Sequence, residues 1–128
     1  MKKEVIRYSD NRPWPRAVKA GNWIFMAVGP IDEEGNVAGP SFEEQLTKIF
    51  EKIKETVESL GSSMDNIVEM TLYYVDMARD VGKVGPIREK YIPDDKMPAI
   101  AGIGIKELYS TDPPLLIEIT CSAIIPDE

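Results

Sequence analysis

Glu118 stands alone between Ile117 and Ile119, a carboxylate in an apolar run that is costly to bury unless it is paired, solvated or protonated. A carboxylate held that way can orient and activate a water molecule for addition to an unsaturated carbon. The alternative is a structural glutamate that accepts hydrogen bonds from backbone or Thr and Tyr donors. Trp14, between Pro13 and Pro15, offers a flat apolar wall and one N–H donor, suited to stacking on a planar ligand or to packing at a chain interface. Arg16, Arg88 and Lys106 are cations that an anion site could recruit, or ordinary surface charge. Tyr109-Ser110-Thr111-Asp112 is a polar-aromatic loop of the kind that borders clefts. Histidine is absent, which removes the usual general base near neutral pH, any Ser–His or Cys–His pair and the commonest zinc ligand. Neither a metal nor a cofactor is expected. The single cysteine, Cys121, excludes an intrachain disulfide and reads as a small buried hydrophobe.

The chain has 128 residues, long enough for one ordinary domain spanning 1–128 with a real core. Fifteen basic and twenty-two acidic residues give a net charge of -7. That balance opposes a phosphate backbone, so no nucleic-acid partner is expected. Residues 1–7 lack the apolar run of a signal peptide, and no segment approaches the ~18 apolar residues of a membrane span. A cytoplasmic protein without a membrane partner is the expectation.

Short periodic elements separated by Pro and Gly must position these groups. Residues 5–8, 16–20 and 23–28 read as strands, with Gly21-Asn22 as a hairpin turn between the second and third. A helix starts at Ser41 with Glu44 completing a capping box, and Phe42, Leu46, Ile49, Phe50, Ile53, Val57 and Leu60 lie on one face. Gly61 ends it, and Glu44 and Lys48 can pair on its solvated side. Residues 67–75 alternate as a central strand, with Val68, Met70, Leu72 and Tyr74 on one face. Val81, Val84, Ile87, Arg88 and Tyr91 keep helical spacing, while Gly82, Gly85 and Pro86 predict a kink or a late start. Residues 99–105 and 115–125 complete six strands. The result is an α+β domain of two layers, a mixed sheet with two helices on one face. In the last strand Leu115, Ile117, Ile119, Cys121, Ala123 and Ile125 suit the covered face. Leu116, Glu118, Thr120, Ser122 and Ile124 then lie on the other, a mixed surface suited to subunit association with small polar cavities.

Several segments together resemble the RidA/YjgF family. Arg12-Pro13-Trp14-Pro15-Arg16-Ala17-Val18 is similar to its Gly-Pro-Tyr-Ser-Gln-Ala-Val, with Trp14 in place of the cleft tyrosine. Gly29-Pro30-Ile31-Asp32 with Gly35 resembles its turn, and 42–61, including Gln45, its first helix. Met64-Asp65-Asn66-Ile67-Val68, Tyr74-Val75-Asp76, Pro98-Ala99 and Ile117-Glu118 complete the likeness. In deaminating members an arginine follows the Pro-small pair and its guanidinium forks onto the substrate carboxylate; here Ile100 stands there. Gly102 replaces a cysteine of some members and Gly85 an asparagine of many, and Met26 or Ala27 takes the place of a strand-end serine.

The resemblance implies a chorismate-mutase-like fold assembled as a homotrimer, with a small-molecule cleft at each subunit interface. It implies that Glu118 positions the water that hydrolyses an enamine or imine. Trp14, Arg88, Ile100, Ala101, Gly102 and Ile103 are then the expected substrate-binding residues, with backbone N–H groups near Gly102 and Ile103 polarising the substrate. A non-catalytic ligand-binding or regulatory trimer is the alternative, favoured by the missing arginine. A ribonuclease activity, sometimes attached to this family, suits neither the missing histidine nor the acidic charge.

Overall fold

A computed structural model describes residues 1–9 and 13–127. Arg12, which opens the first family-like segment, lies outside them. Strands β1 (Lys3–Arg7), β2 (Pro15–Ala20), β3 (Trp23–Val28), β4 (Ile67–Tyr74), β5 (Ala99–Gly104) and β6 (Ile117–Ile124) form one sheet in the order β1-β2-β3-β6-β4-β5. All neighbours are antiparallel except β4 and β5. Helix α1 (Phe42–Ser59) covers one face, joined at its margin by the short helices α2 (Met77–Asp80) and α3 (Val84–Arg88). This is the two-layer α+β arrangement expected from the periodicity.

Each end of α1 is set by local chemistry. Ser41 Oγ accepts the Glu44 N–H at 3.1 Å, and the Glu44 carboxylate accepts from Ser41 N and Oγ. Glu44 is thereby engaged in the cap, and its carboxylate serves Ser41 where a Lys48 partner was expected. At the other end Gly61 takes φ +84°, so that Ser62 N–H reaches the Val57 carbonyl at 2.8 Å and closes the last turn. Between the caps, Leu46, Ile49, Phe50, Ile53 and Val57 are fully buried against Ile24, Met70, Leu72, Ile117 and Ile119. Each such side chain contributes about 1.5 to 3 kcal/mol.

The second helix has the kink and late start expected of it: residues 81–83 form a 3-10 turn between α2 and α3, where Gly82, Gly85 and Pro86 weaken continuous helix. Ile87 is buried and Val81 faces solvent. Fully buried Asp80 pins the break, accepting from Arg79 at 2.7 and 2.9 Å and from Lys83 at 3.0 Å. In β4 a bulge between Ile67 and Glu69 inserts one residue and flips the alternation, so Ile67 joins Met70 in the core and Val68 does not.

Among the described residues, no helix covers the opposite sheet face. Paired residues on adjacent strands share a face, so the register sets Phe25, Ser122, Glu69 and Ala99 in one row and Ala27, Thr120, Thr71 and Ala101 in the next. Glu118, Tyr73 and Ile103 form a third.

Candidate functional site

Near the start of β6, the half-buried Glu118 opens into a cleft of about 560 Å³. Its floor is the turn after β3, where a Cβ on Gly29 would lie 3.6 Å from Glu118 Oε1. Tyr8, Trp14 and Tyr109 supply aromatic walls. Trp14 is 74% exposed and also lines an adjoining hollow of about 520 Å³ that contains Glu69, Thr120 and Ser122. Inside that hollow Ser122 Oγ donates to Glu69 Oε1 at 2.6 Å.

Lys52 enters the cleft from α1. Its Nζ donates to the carbonyl oxygens of Gly29 at 3.0 Å and Ile31 at 2.6 Å, which ties the helix to the turn under Glu118. The same Nζ and the Arg16 guanidinium each lie 5.5 Å from the centre of the Tyr8 ring, a cation–π arrangement. Arg16 is otherwise engaged, donating to Thr56 Oγ1 at 2.7 Å.

The local electrostatics follow from burial. Desolvation raises the Glu118 carboxyl above its usual 4.5, against the pull of the Lys52 ammonium. Burial, reinforced by the like charge of Lys48, brings Lys52 down to about 8, while Asp32 and Glu118 act the other way. Asp32 accepts backbone N–H bonds from Asn36 and Glu34, both at 2.9 Å, and these hold its carboxyl below the ordinary range. Cys121, buried beneath the sheet, is pushed up to about 12 by desolvation, the inert small hydrophobe expected of it.

Among the expected site residues, Glu118 and Trp14 meet in this cleft, and the Tyr109 loop borders it. Ala27 lines it too, whereas Met26 packs into the core; of the two candidates for the strand-end serine position, Ala27 is the one that faces the cleft. Arg88 lies elsewhere, donating to Ile92 O at 2.9 Å and to Asp94 Oδ1 at 2.7 Å. Ile100, Ala101, Gly102 and Ile103 are on the edge strand β5, away from Glu118 within one chain. Strand alternation divides them: Ala101 and Ile103 share the open face with Thr71 and Tyr73, whereas a Cβ on Gly102 would meet Tyr74 at 3.2 Å and Met77 at 3.5 Å.

The sequence alone does not single out Lys52 or Tyr8. Lys52 does carry a signal, since it flanks the apolar stripe of Ile49 and Ile53, where a long side chain runs along the core margin and delivers its charge at the end. Nothing in the helical spacing says which turn it reaches. No group of His, Cys, Asp and Glu suited to a metal ion occurs among the described residues, and no helix there is long and apolar enough to cross a membrane.

The fold matches those of solved Rid proteins. The conserved Rid family protein YyfA of Yersinia pestis superposes with a TM-score of 0.83 at 21% identity, covering 96% of this chain and 99% of that one. RidA from the Antarctic bacterium Psychrobacter sp. PAMC 21119 does so at 0.78 and 22%, covering 91% and 92%. Sequence likeness goes beyond the fold. The family described as endoribonuclease L-PSP matches residues 7–125. A RutC family protein of Pyrococcus horikoshii is 32% identical over 128 residues, 94% of this chain and 97% of the relative. One from Pyrococcus abyssi is 33% identical over 115 residues, 84% and 88% of the two chains. The chain belongs to the RidA/YjgF family.

Proposed function

We propose that this Rid-family protein hydrolyses an imine or enamine to a carbonyl compound and ammonia, in clefts completed at the interfaces of a homotrimer. The observation that carries this reading is a half-buried carboxylate, Glu118, facing an aromatic-walled cleft large enough for a small molecule. Its carboxylate takes a proton from the attacking water as the oxygen adds to the C=N carbon, and passes it to nitrogen. It then takes the remaining hydroxyl proton as C=O forms and the C–N bond breaks, and delivers it to the departing nitrogen, so water and imine become carbonyl compound and ammonia. A carboxyl raised by burial is suited to both transfers.

Strand β5 supports the trimer. It is an unpaired edge with every residue exposed, including Ile100 at 45% and Ile103 at 44%. Such an edge favours pairing unless another surface covers it. Docked beside the Glu118 cleft of a second copy, β5 would bring backbone N–H groups near Gly102 and Ile103 to the polar end of the substrate. The ribonuclease in the family's description finds less support in a chain with net charge -7 and no histidine.

Ammonia release from freshly generated imines tests the proposal. Wild-type turnover with a loss of roughly 10² or more in Glu118→Gln, oligomer retained, is the expected result. Thermal stabilisation by ligand without turnover would make the protein a binding or regulatory trimer, the reading that Ile100 favours. Unchanged turnover in a destabilised Glu118→Gln would make Glu118 a structural residue.

A further inference from the structure

The cleft described above is lined mainly by carboxylate, aromatic and small side chains. Among the described residues that line it, Asp32, Glu33 and Glu118 are carboxylates, and Lys52 is the one cation. Lys52 is also committed, since two of its N–H groups go to the carbonyls of Gly29 and Ile31. Arg16 is drawn away by Thr56 and by Glu55, 3.8 Å from its guanidinium. The hollow next to the cleft continues the pattern with Glu34 and Glu55 beside Lys48. Among the described residues that line the cleft there is no forked donor for an anion, and the aromatic faces of Tyr8, Trp14 and Tyr109 attract cations.

We propose that the cleft selects cationic, carboxylate-free ligands, specifically protonated imines derived from simple amines, over imines derived from amino acids. The proposal rests on the hydrolytic reading for its reaction, and on cleft geometry and charge for its selectivity. The iminium nitrogen would lie toward Asp32, Glu33 and the aromatic walls, with the C=N carbon toward Glu118. The balanced reaction is R–CH=NH₂⁺ + H₂O → R–CHO + NH₄⁺: a C–O bond forms, the C–N bond breaks, and no oxidant or reductant takes part. An amino-acid imine would bring its carboxylate toward three like charges, with half-buried Glu118 the least screened of them.

Equilibrium binding separates charge selection from chemistry. Calorimetry with benzylammonium and benzoate, a size-matched pair of opposite charge, should show benzylammonium at least about tenfold tighter. Glu33→Lys, a charge reversal on an exposed side chain of the rim, should reduce that preference by roughly tenfold while the fold is retained. In parallel, imines generated by an amine oxidase and by an amino-acid oxidase are compared for ammonia release, and the amine-derived imine should react faster. Equal or tighter binding of benzoate, or faster turnover of the amino-acid imine, overturns the proposal and leaves hydrolysis standing. Tighter benzylammonium binding without turnover of either imine supports the charge selection and removes the hydrolytic reading instead.

Discussion

Gln45 of α1 accepts the Leu116 N–H on its side-chain oxygen at 2.8 Å, across 71 residues of sequence. The same amide donates to the carbonyls of Gly39 at 2.9 Å and Pro114 at 2.8 Å. One fully buried side chain thus joins the helix, the turn before it and the entrance to β6, two residues ahead of Glu118. The arrangement satisfies three backbone groups that no strand or helix ladder serves.

Replacing Gln45 by Leu keeps the volume and strands those three groups. A stability loss of about 2 to 4 kcal/mol is expected, read from the urea unfolding midpoint and its slope. A loss below about 1 kcal/mol would show that β6 starts correctly without this amide.

Lys52 makes the stability depend on pH with a definite sign. Its folded value of about 8 lies below the ordinary 10.5, so between those values the unfolded chain binds a proton that the folded chain lacks. Stability of the wild type therefore rises with pH through that window relative to Lys52→Met, which lacks the group. Tyr74 and Tyr91, raised by burial, work in the opposite direction above about pH 10 and are common to both proteins. The comparison is made by urea unfolding at about pH 7 and about pH 9.5, and a constant difference between the two proteins would refute the assignment.

Sedimentation tests the assembly that β5 points to. A compact homotrimer is expected at micromolar concentration, and Ile103→Asp, which places a charge on the exposed apolar edge, is expected to dissociate it. A wild-type monomer would remove the second copy from the cleft.

Ile100→Arg restores a forked donor on the exposed edge of β5. If a charge-assisted bond worth about 1.5 to 3 kcal/mol is the chief deficit, kcat/KM for 2-iminopropionate rises roughly tenfold to a hundredfold. Wild-type activity on that substrate equal to that of arginine-bearing relatives would refute the premise, and no gain in a folded trimeric variant would place the deficit elsewhere in the cleft.

The helix from Ser41, the six strands and the buried set of β6 were legible because each depends on short-range periodicity, a cap or a turn residue within a few positions. Glu118 stood out for a related reason, as a lone carboxylate between two isoleucines. The bulge that exchanges Val68 for Ile67, and the break that leaves Val81 in solvent, depend on how neighbouring strands and buried Asp80 accommodate the chain. Lys52, Tyr8 and Glu118 come from a helix, the segment after β1 and the sixth strand, and strand order with side-chain reach brings them to one cleft. The separation of Ile100, Ala101, Gly102 and Ile103 from that cleft within a chain is likewise a matter of topology, because β5 pairs with β4 at the sheet edge. Local pattern determines which residues a strand or helix turns inward, whereas the meeting of distant side chains depends on tertiary packing, which sequence spacing does not encode.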